Sequence, residues 1–522
     1  MSNGTVYKYK YFNSFAGGLD VASSPLELAD NQMQIALNGY LTRKGAFRKR
    51  SGYKKDIAAA IGTDVVGVVN VFRYYTGSSS YTMIAAQTAS KIRIFYQDGA
   101  AYTELTGGAD FVWGTDIQFV AYQDYLFICD GTNFQYWDGS AANKADCVFS
   151  TDTGYIASLT PRLLTVVDDR LFVVDSSNDD VIYFSDFGAW NTDPGTDLLF
   201  KDVNTLPIPE RNSDLKGIRS WTMYGNNDEL MIKRENGLWT MLGKDEDDYV
   251  LVKMSDEAGG VSAYGYRASD YGTIVFVGND MIYEISDTAF PPIGTPIKPL
   301  IAGKDLTRSW CVYDKAHELI LISCGDVTLC WNLVTRSWTE MDINFTCACR
   351  YTASEDHNKV VFGFNDSPYL WHYSGVADAA DADGTGGNDI KRRLKTKLVD
   401  LYEFGVTKFL RGVKTMSDSE TATPFEMTVF VNDHIKPPRT DTHTVTVTYY
   451  GKLWGVDDAS EDDHDMIWDD DEWAGDEVSL SSTVLGDNLT ANHFDVLIES
   501  EDKLESTIYG IGVEYTELAT RR

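Results

Sequence analysis

Cysteine and proline are scarce in this chain of 522 residues, which holds seven of the first, an odd number, and thirteen of the second. No C-x-x-C pair occurs, and the closest thiols are Cys347 and Cys349, so the cysteines are expected to be reduced. Long apolar runs are absent too. Nothing approaches the ~20 residues of a membrane span, and Met1 to Tyr11 is polar and lacks the apolar stretch of a signal peptide. The expected product is made in a cytosol and stays soluble. Cations are outnumbered, with 45 Lys and Arg against 78 Asp and Glu, for a net charge of −33. That balance argues against gripping nucleic acid by its phosphates, which requires clustered Lys and Arg.

Chemical motifs are equally thin. The chain has no phosphate loop of the G-x-x-x-x-G-K-[ST] type and no G-x-S-x-G elbow, which argues against nucleotide hydrolysis and serine-hydrolase chemistry. Its seven histidines, at 317, 357, 372, 434, 443, 464 and 493, form no H-E-x-x-H or H-x-H pairing. Asp378, Asp381 and Asp383 before Gly384 suggest a calcium loop, yet its first and twelfth positions would be Ala379 and Ile390, so the motif fails. A sialidase-type repeat fails as well, since Ser185, Asp186, Gly188 and Trp190 have the residues at the wrong spacing. No catalytic residue, metal or cofactor is expected, and the chain reads as a non-enzyme.

What is abundant is aromatic and turn-forming: 30 Tyr, 24 Phe, 12 Trp and 43 Gly. Such a composition suits pleated, half-buried strands joined by tight turns, and the fold class is expected to be all-β. A unit recurs seven times: an apolar strand, a short polar turn, then a strand rich in aromatics. Anchored on Met83, Phe127, Phe172, Met231, Val275, Ile320 and Val361, the copies step by 44, 45, 59, 44, 45 and 41 residues. Four short strands with turns occupy about 40 to 50 residues, the length of a propeller blade. A β-propeller of six or seven blades over residues 68–375 is the expectation, with stacked sandwiches or a solenoid as the alternative. The long step contains 187–216, with Pro194, Pro207 and Pro209, and reads as a loop insertion.

Around the propeller, residues 1–67 read as an N-terminal arm and hairpin, 376–389 as a Gly- and Asp-rich linker, and 390–522 as a β-sandwich-like domain. Within the last, 457–477 carries twelve acidic residues and no Lys or Arg, together with Trp468 and Trp473, and reads as a loop. The one notable basic cluster runs through Arg43, Lys44, Arg48, Lys49 and Arg50 around Phe47. Arg43, Phe47, Arg48, Arg50, Trp468 and Trp473 are the candidate interface residues, because Arg forks pair well with a carboxylate-rich surface and exposed aromatics anchor contacts.

The terminal segments have a recognisable order. Phe15-Ala16-Gly17-Gly18-Leu19-Asp20 leads through Ser24-Pro25-Leu26-Glu27-Leu28 and Asn38-Gly39-Tyr40 to Gly45-Ala46-Phe47-Arg48-Lys49-Arg50-Ser51-Gly52-Tyr53. This resembles the opening of the tail nozzle, tail stabilisation or tail tubular proteins of short-tailed bacteriophages. Val181 to Ser185 before Asp193-Pro194, and the closing Tyr509-Gly510-Ile511-Gly512-Val513-Glu514-Tyr515, resemble the same family, although the acidic segment 457–477 departs from it. The resemblance implies a structural virion protein of the tail, synthesised in the host cytoplasm. It implies a homo-oligomeric ring, generally six-fold, below the portal, docked to head-tail adaptor and tail-fibre proteins and conducting genomic DNA without specific binding. A carboxylate-rich wall would repel phosphates over a Debye length of ~8 to 10 Å. The alternative function is a propeller receptor-binding or tail-fibre protein that recognises host surface glycans.

Overall fold

The computed structural model describes residues 7–77, 79–140, 142–209, 214–222, 228–243, 246–270, 272–285, 289–351, 359–373, 389–401, 406–419, 423–433, 436–447, 479–490, 493–502 and 506–519. The linker at 376–389, apart from Asp389, and the acidic segment 457–477 lie outside them. The chain is nearly all β, and its one α-helix among the described residues is the single turn Lys298–Ile301. No described helix is long and apolar enough to cross a membrane. Two compact units divide the chain: Lys54–Leu333 with Asp342–Tyr373, and Met1–Tyr53 with Val334–Met341 and Ser374–Arg522.

Among the described residues the larger unit is a succession of seven antiparallel meanders, six of them sheets of their own and the sixth in order part of a longer sheet; each is called a sheet below. Their first strands are Gly67–Thr76, Gln118–Tyr122, Pro161–Val167, Leu215–Thr222, Tyr266–Ala268, Trp310–Asp314 and Cys347–Tyr351. All seven anchors of the sequence repeat fall on the second strand of their sheet, and all seven are fully buried. The periodicity arises because that strand is covered on both faces, so it carries the longest apolar run of each copy. Turns complete the pattern. Gln123 and Asp124, then Asp168 and Asp169, hold positive φ of 48°, 63°, 48° and 57°. Paired positive φ is the two-residue hairpin geometry whose twist matches that of the strands it joins.

Consecutive sheets are stitched by side chains. Tyr74 of the first sheet donates its hydroxyl to the carbonyl of Asp124 in the second sheet's turn, and Tyr122 donates to Asp169 of the third at 2.6 Å. The insertion 187–216 is packed rather than loose. Ala189, Leu198 and Phe200 are buried with Phe127, Phe149 and Leu171 between the second and third sheets, and Thr205–Pro207 adds the third sheet's outer strand.

The seventh sheet returns to the first. Cys347–Tyr351 packs against Gly67–Thr76, and the Val68 amide donates to the Phe364 carbonyl at 2.8 Å. Gly67 must lack a side chain here, since a Cβ would lie 1.9 Å from the carbonyl oxygen of Asn365. The strand Tyr53–Lys55 forms the outer edge of the seventh sheet. Just beyond it, Asp56 accepts from Lys359 Nζ at 2.5 Å and from Gln97 Nε2 of the first sheet at 2.7 Å.

The smaller unit joins the two ends of the chain. In one sheet Ser506–Ala519 lies between Val406–Ser419 on one side and both Tyr7–Phe12 and Phe47–Lys49 on the other. In another, Gln32–Leu37 pairs with Ile390–Thr396, which continues through His493–Asp502 to Thr423–Asp433 and Lys436–Val447. Alternation fixes the register: Phe494, Val496 and Ile498 are fully buried, as are Met427 and Val429. The sequence separates 1–67 from 390–522 because local patterning carries no record of partners more than 450 residues away; in the structure Met1–Tyr53 and Ser374–Arg522 share a unit.

Candidate functional site

The residues singled out by sequence do not gather at one surface. Arg43 is exposed on the turn before Phe47–Lys49, and Arg48 is half-buried opposite Tyr40 and Thr507. Phe47 and Arg50 are interior residues, at 0 % and 1 % exposure. Arg50 donates from Nε to Asn38 Oδ1 at 3.0 Å and from Nη1 to the Ser51 carbonyl at 3.2 Å, and its guanidinium lies 5.8 Å from the Tyr53 ring centroid. Both side chains are packed inside the smaller unit. Trp468 and Trp473 lie outside the described residues.

A second cationic group, unmarked by any motif, lies deep in the larger unit. Its centre is Tyr264. The hydroxyl donates to the Ile117 carbonyl and accepts from Asn70 Nδ2 at 3.0 Å and Gln118 Nε2 at 2.8 Å. Its ring stacks on Trp310 at 3.9 Å with a 16° interplanar angle, and the Arg219 guanidinium lies 5.6 Å from the centroid. One tyrosine thus meets the first, second, fourth and sixth sheets from the segment that enters the fifth.

Arg219 and Arg267 occupy one register position in consecutive sheets. Arg219 faces the anchor Met231 and Arg267 faces the anchor Val275. In the other five sheets that position holds Phe72, Val120, Thr165, Tyr313 and Cys349, none of them charged at neutral pH. Lys233, two residues beyond Met231 and so on its face of the strand, is fully buried. Its ammonium donates to the Ser262 carbonyl at 2.7 Å and lies 5.8 Å from the Tyr266 centroid.

The electrostatics follow from that crowding. Burial pushes the Lys233 amine down to about 7, and the Arg219 charge adds to the shift. Burial lowers Arg219 as well; it also lowers Arg267, which the neighbouring Arg350 and Arg219 depress further. Among the described residues no carboxylate ion-pairs with Arg219, Arg267 or Lys233. Nearby cations are provided for: Arg234 meets Asp180 at 2.9 Å, Arg350 meets Asp270 at 2.6 Å, and Arg162 meets Asp179 at 2.8 Å. The group is an electropositive cluster in an acidic protein, with Lys233 buried and the two arginines half-buried. A signal existed in the sequence, an Arg on the first strand of two consecutive repeats, but its meaning depends on a register that only strand pairing reveals.

The other buried charged group closes the seam between the first and seventh sheets. Asp56 Oδ1 lies 3.0 Å from His372 Nδ1 as well as bonding Lys359. Burial opposes the Asp56 charge, but His372, Lys359 and Gln97 together hold its carboxyl well below the usual carboxylate range. Burial lowers His372 more than Asp56 raises it. The carboxylate is enclosed, at 3 % side-chain exposure, which suits a clasp better than a catalytic acid.

No protein-family model matches the chain, and no curated protein matches it. Among solved structures, it is similar to the extracellular domain of the putative one-component system BT4673 from B. thetaiotaomicron, at 11 % identity and a TM-score of 0.41. A second structure of that extracellular domain, described as a putative hybrid two-component system, gives 11 % and 0.42. In both cases the match covers 65 % of this chain and 42 % of the other, so it spans about two fifths of those structures.

Proposed function

We propose that this chain is a structural virion protein of a phage tail, a non-enzymatic subunit of a ring that extends the DNA conduit and docks adaptor and fibre proteins. One observation carries the reading. The segments on which the family resemblance rests, Gly45 to Tyr53 and Tyr509 to Tyr515, are far apart in the sequence and contribute to one sheet, where Phe47 and Arg48 face Ile508 and Thr507, the residues just before the second segment. Segments that each resemble the family and share one sheet support the reading as a single structural feature.

In this reading the larger unit is a seven-bladed propeller and the smaller a β-sandwich. Seven consecutive meander sheets support the blades, as do the packing of Cys347–Tyr351 on Gly67–Thr76 and the strand Tyr53–Lys55 at the edge of the last sheet. Sharing the final blade between both ends of a repeat array removes an open edge. The charge of −33 suits a wall that DNA passes without being held.

Electron microscopy of the purified chain, alone and with its upstream adaptor, tests the proposal. A ring with an axial opening wide enough for duplex DNA is expected. Trimers, or rings with no such opening, would overturn it, and hydrolysis of a surface polysaccharide would overturn the non-enzymatic assignment.

A further inference from the structure

We propose that Arg219, Arg267 and Lys233 form a binding site for a tetrahedral oxyanion, a phosphate or sulfate group, where the fourth and fifth sheets meet. The inference is independent of the tail reading. Three cations gathered together, Lys233 fully buried and Arg219 and Arg267 half-buried, would ordinarily be matched by carboxylates in a protein with 78 acidic residues. Arg234, Arg350 and Arg162 are matched, within the same unit. Arg219 and Arg267, at one register position in consecutive sheets, pair with no carboxylate among the described residues.

Like charges enclosed together repel and lose hydration, a combination that is costly unless an anion resolves it. Two guanidinium forks provide planar, paired donors suited to the edges of a tetrahedral oxyanion, and their combined charge matches a dianion. Lys233 donates to the carbonyls of Ser262 and Ala263, at 2.7 and 3.4 Å, and a bound anion would favour its charged form. The walls are aromatic: Tyr264 lies against Arg219, and Tyr266 against Lys233. With its hydroxyl committed to Asn70, Gln118 and Ile117, Tyr264 leaves the positive groups as the recognising atoms. Arg219 and Arg267 both retain solvent-accessible surface, so the group is reached from outside.

The test is thermal denaturation of the full chain with inorganic phosphate or sulfate, set against chloride at equal ionic strength. A ligand that binds only the folded state raises the midpoint in a saturable manner. We expect such a rise in the wild type and at least a tenfold weaker apparent affinity in Arg219→Gln and Arg267→Gln, with Arg162→Gln unchanged. A rise no greater than that of chloride, or an equal rise in all variants, would overturn the site. Because a Gln variant could fold poorly, line broadening of the phosphate signal in phosphorus NMR is measured on the wild type and on Arg219→Lys. Broadening in the wild type, reduced in Arg219→Lys, supports the site; no broadening in the wild type refutes it. Repeating the titration with a sugar phosphate separates the sources: inorganic phosphate alone indicates a free anion, and both together indicate the end group of a larger ligand.

Discussion

Tyr264 shows how much can rest on one hydroxyl. Tyr264→Phe keeps the stacking on Trp310 but strips the acceptor from Gln118 and one of two from Asn70, whose amide also donates to the Ile117 carbonyl. A loss of about 1 to 3 kcal/mol in chemical denaturation is expected, the penalty for buried polar groups left unpaired. Lys233 makes a prediction about pH. Its folded value of about 7 lies below the ordinary 10.5, so between those values the unfolded chain holds a proton that the folded chain lacks. Stability therefore rises with pH across that window, and the cost is complete below about 7. Lys233→Met should remove this slope, improving relative to wild type by on the order of a few kcal/mol as pH falls from 10 to 7. Urea denaturation at the two pH values decides the matter. His372 and Asp56 act at lower pH, with Lys359 and Lys54 as the cations that bear on His372. Both have lowered folded values, so their contribution is present above the unfolded ones and fades on acidification. The loss begins below about 6.5 through His372 and continues below 3.8 through Asp56. In His372→Asn the melting temperature should stay flat between pH 6.5 and 4.5.

At the level of strands and sheets, the tyrosine stitches and the glycine seam make opposite kinds of demand. Tyr122→Phe removes one intersheet bond, at a cost of about 1 kcal/mol. Gly67→Ala asks the first strand to move away from Asn365, since backbone cannot yield as a side chain does, and should cost more than the tyrosine change. Equilibrium unfolding of the two variants ranks them. Sequence legibility divides along the same line. The seven buried anchors were readable because each strand writes its burial into its own residues, Phe127, Phe172 and Ile320 among them. The positions facing them were not, since Arg219 and Arg267 become neighbours only once the strands are paired. The basic cluster divides for a related reason: Arg43 is exposed, whereas Arg50 is buried and donates to Asn38 and Ser51, which composition cannot distinguish from a solvated face.

For the molecule as a whole, the smaller unit depends on contacts between distant parts of the chain. Truncation after residue 505 removes the strand that Tyr7–Phe12, Phe47–Lys49 and Val406–Ser419 all pair with. Amide protection in those strands should collapse, while the amides of Phe127 and Phe172 keep theirs, as hydrogen exchange followed by mass spectrometry would show. That strand also sets an order of events in synthesis. When residues 7–12 leave the ribosome, the partner at 506–519 is some 500 codons from being translated. The sheets between 67 and 373 are complete long before then, and long-range pairing is slow to find its register. Through that interval the tyrosine-lined strand Tyr7–Phe12 waits for a partner not yet made, and it is the synthesis of residues 506–519 that supplies it.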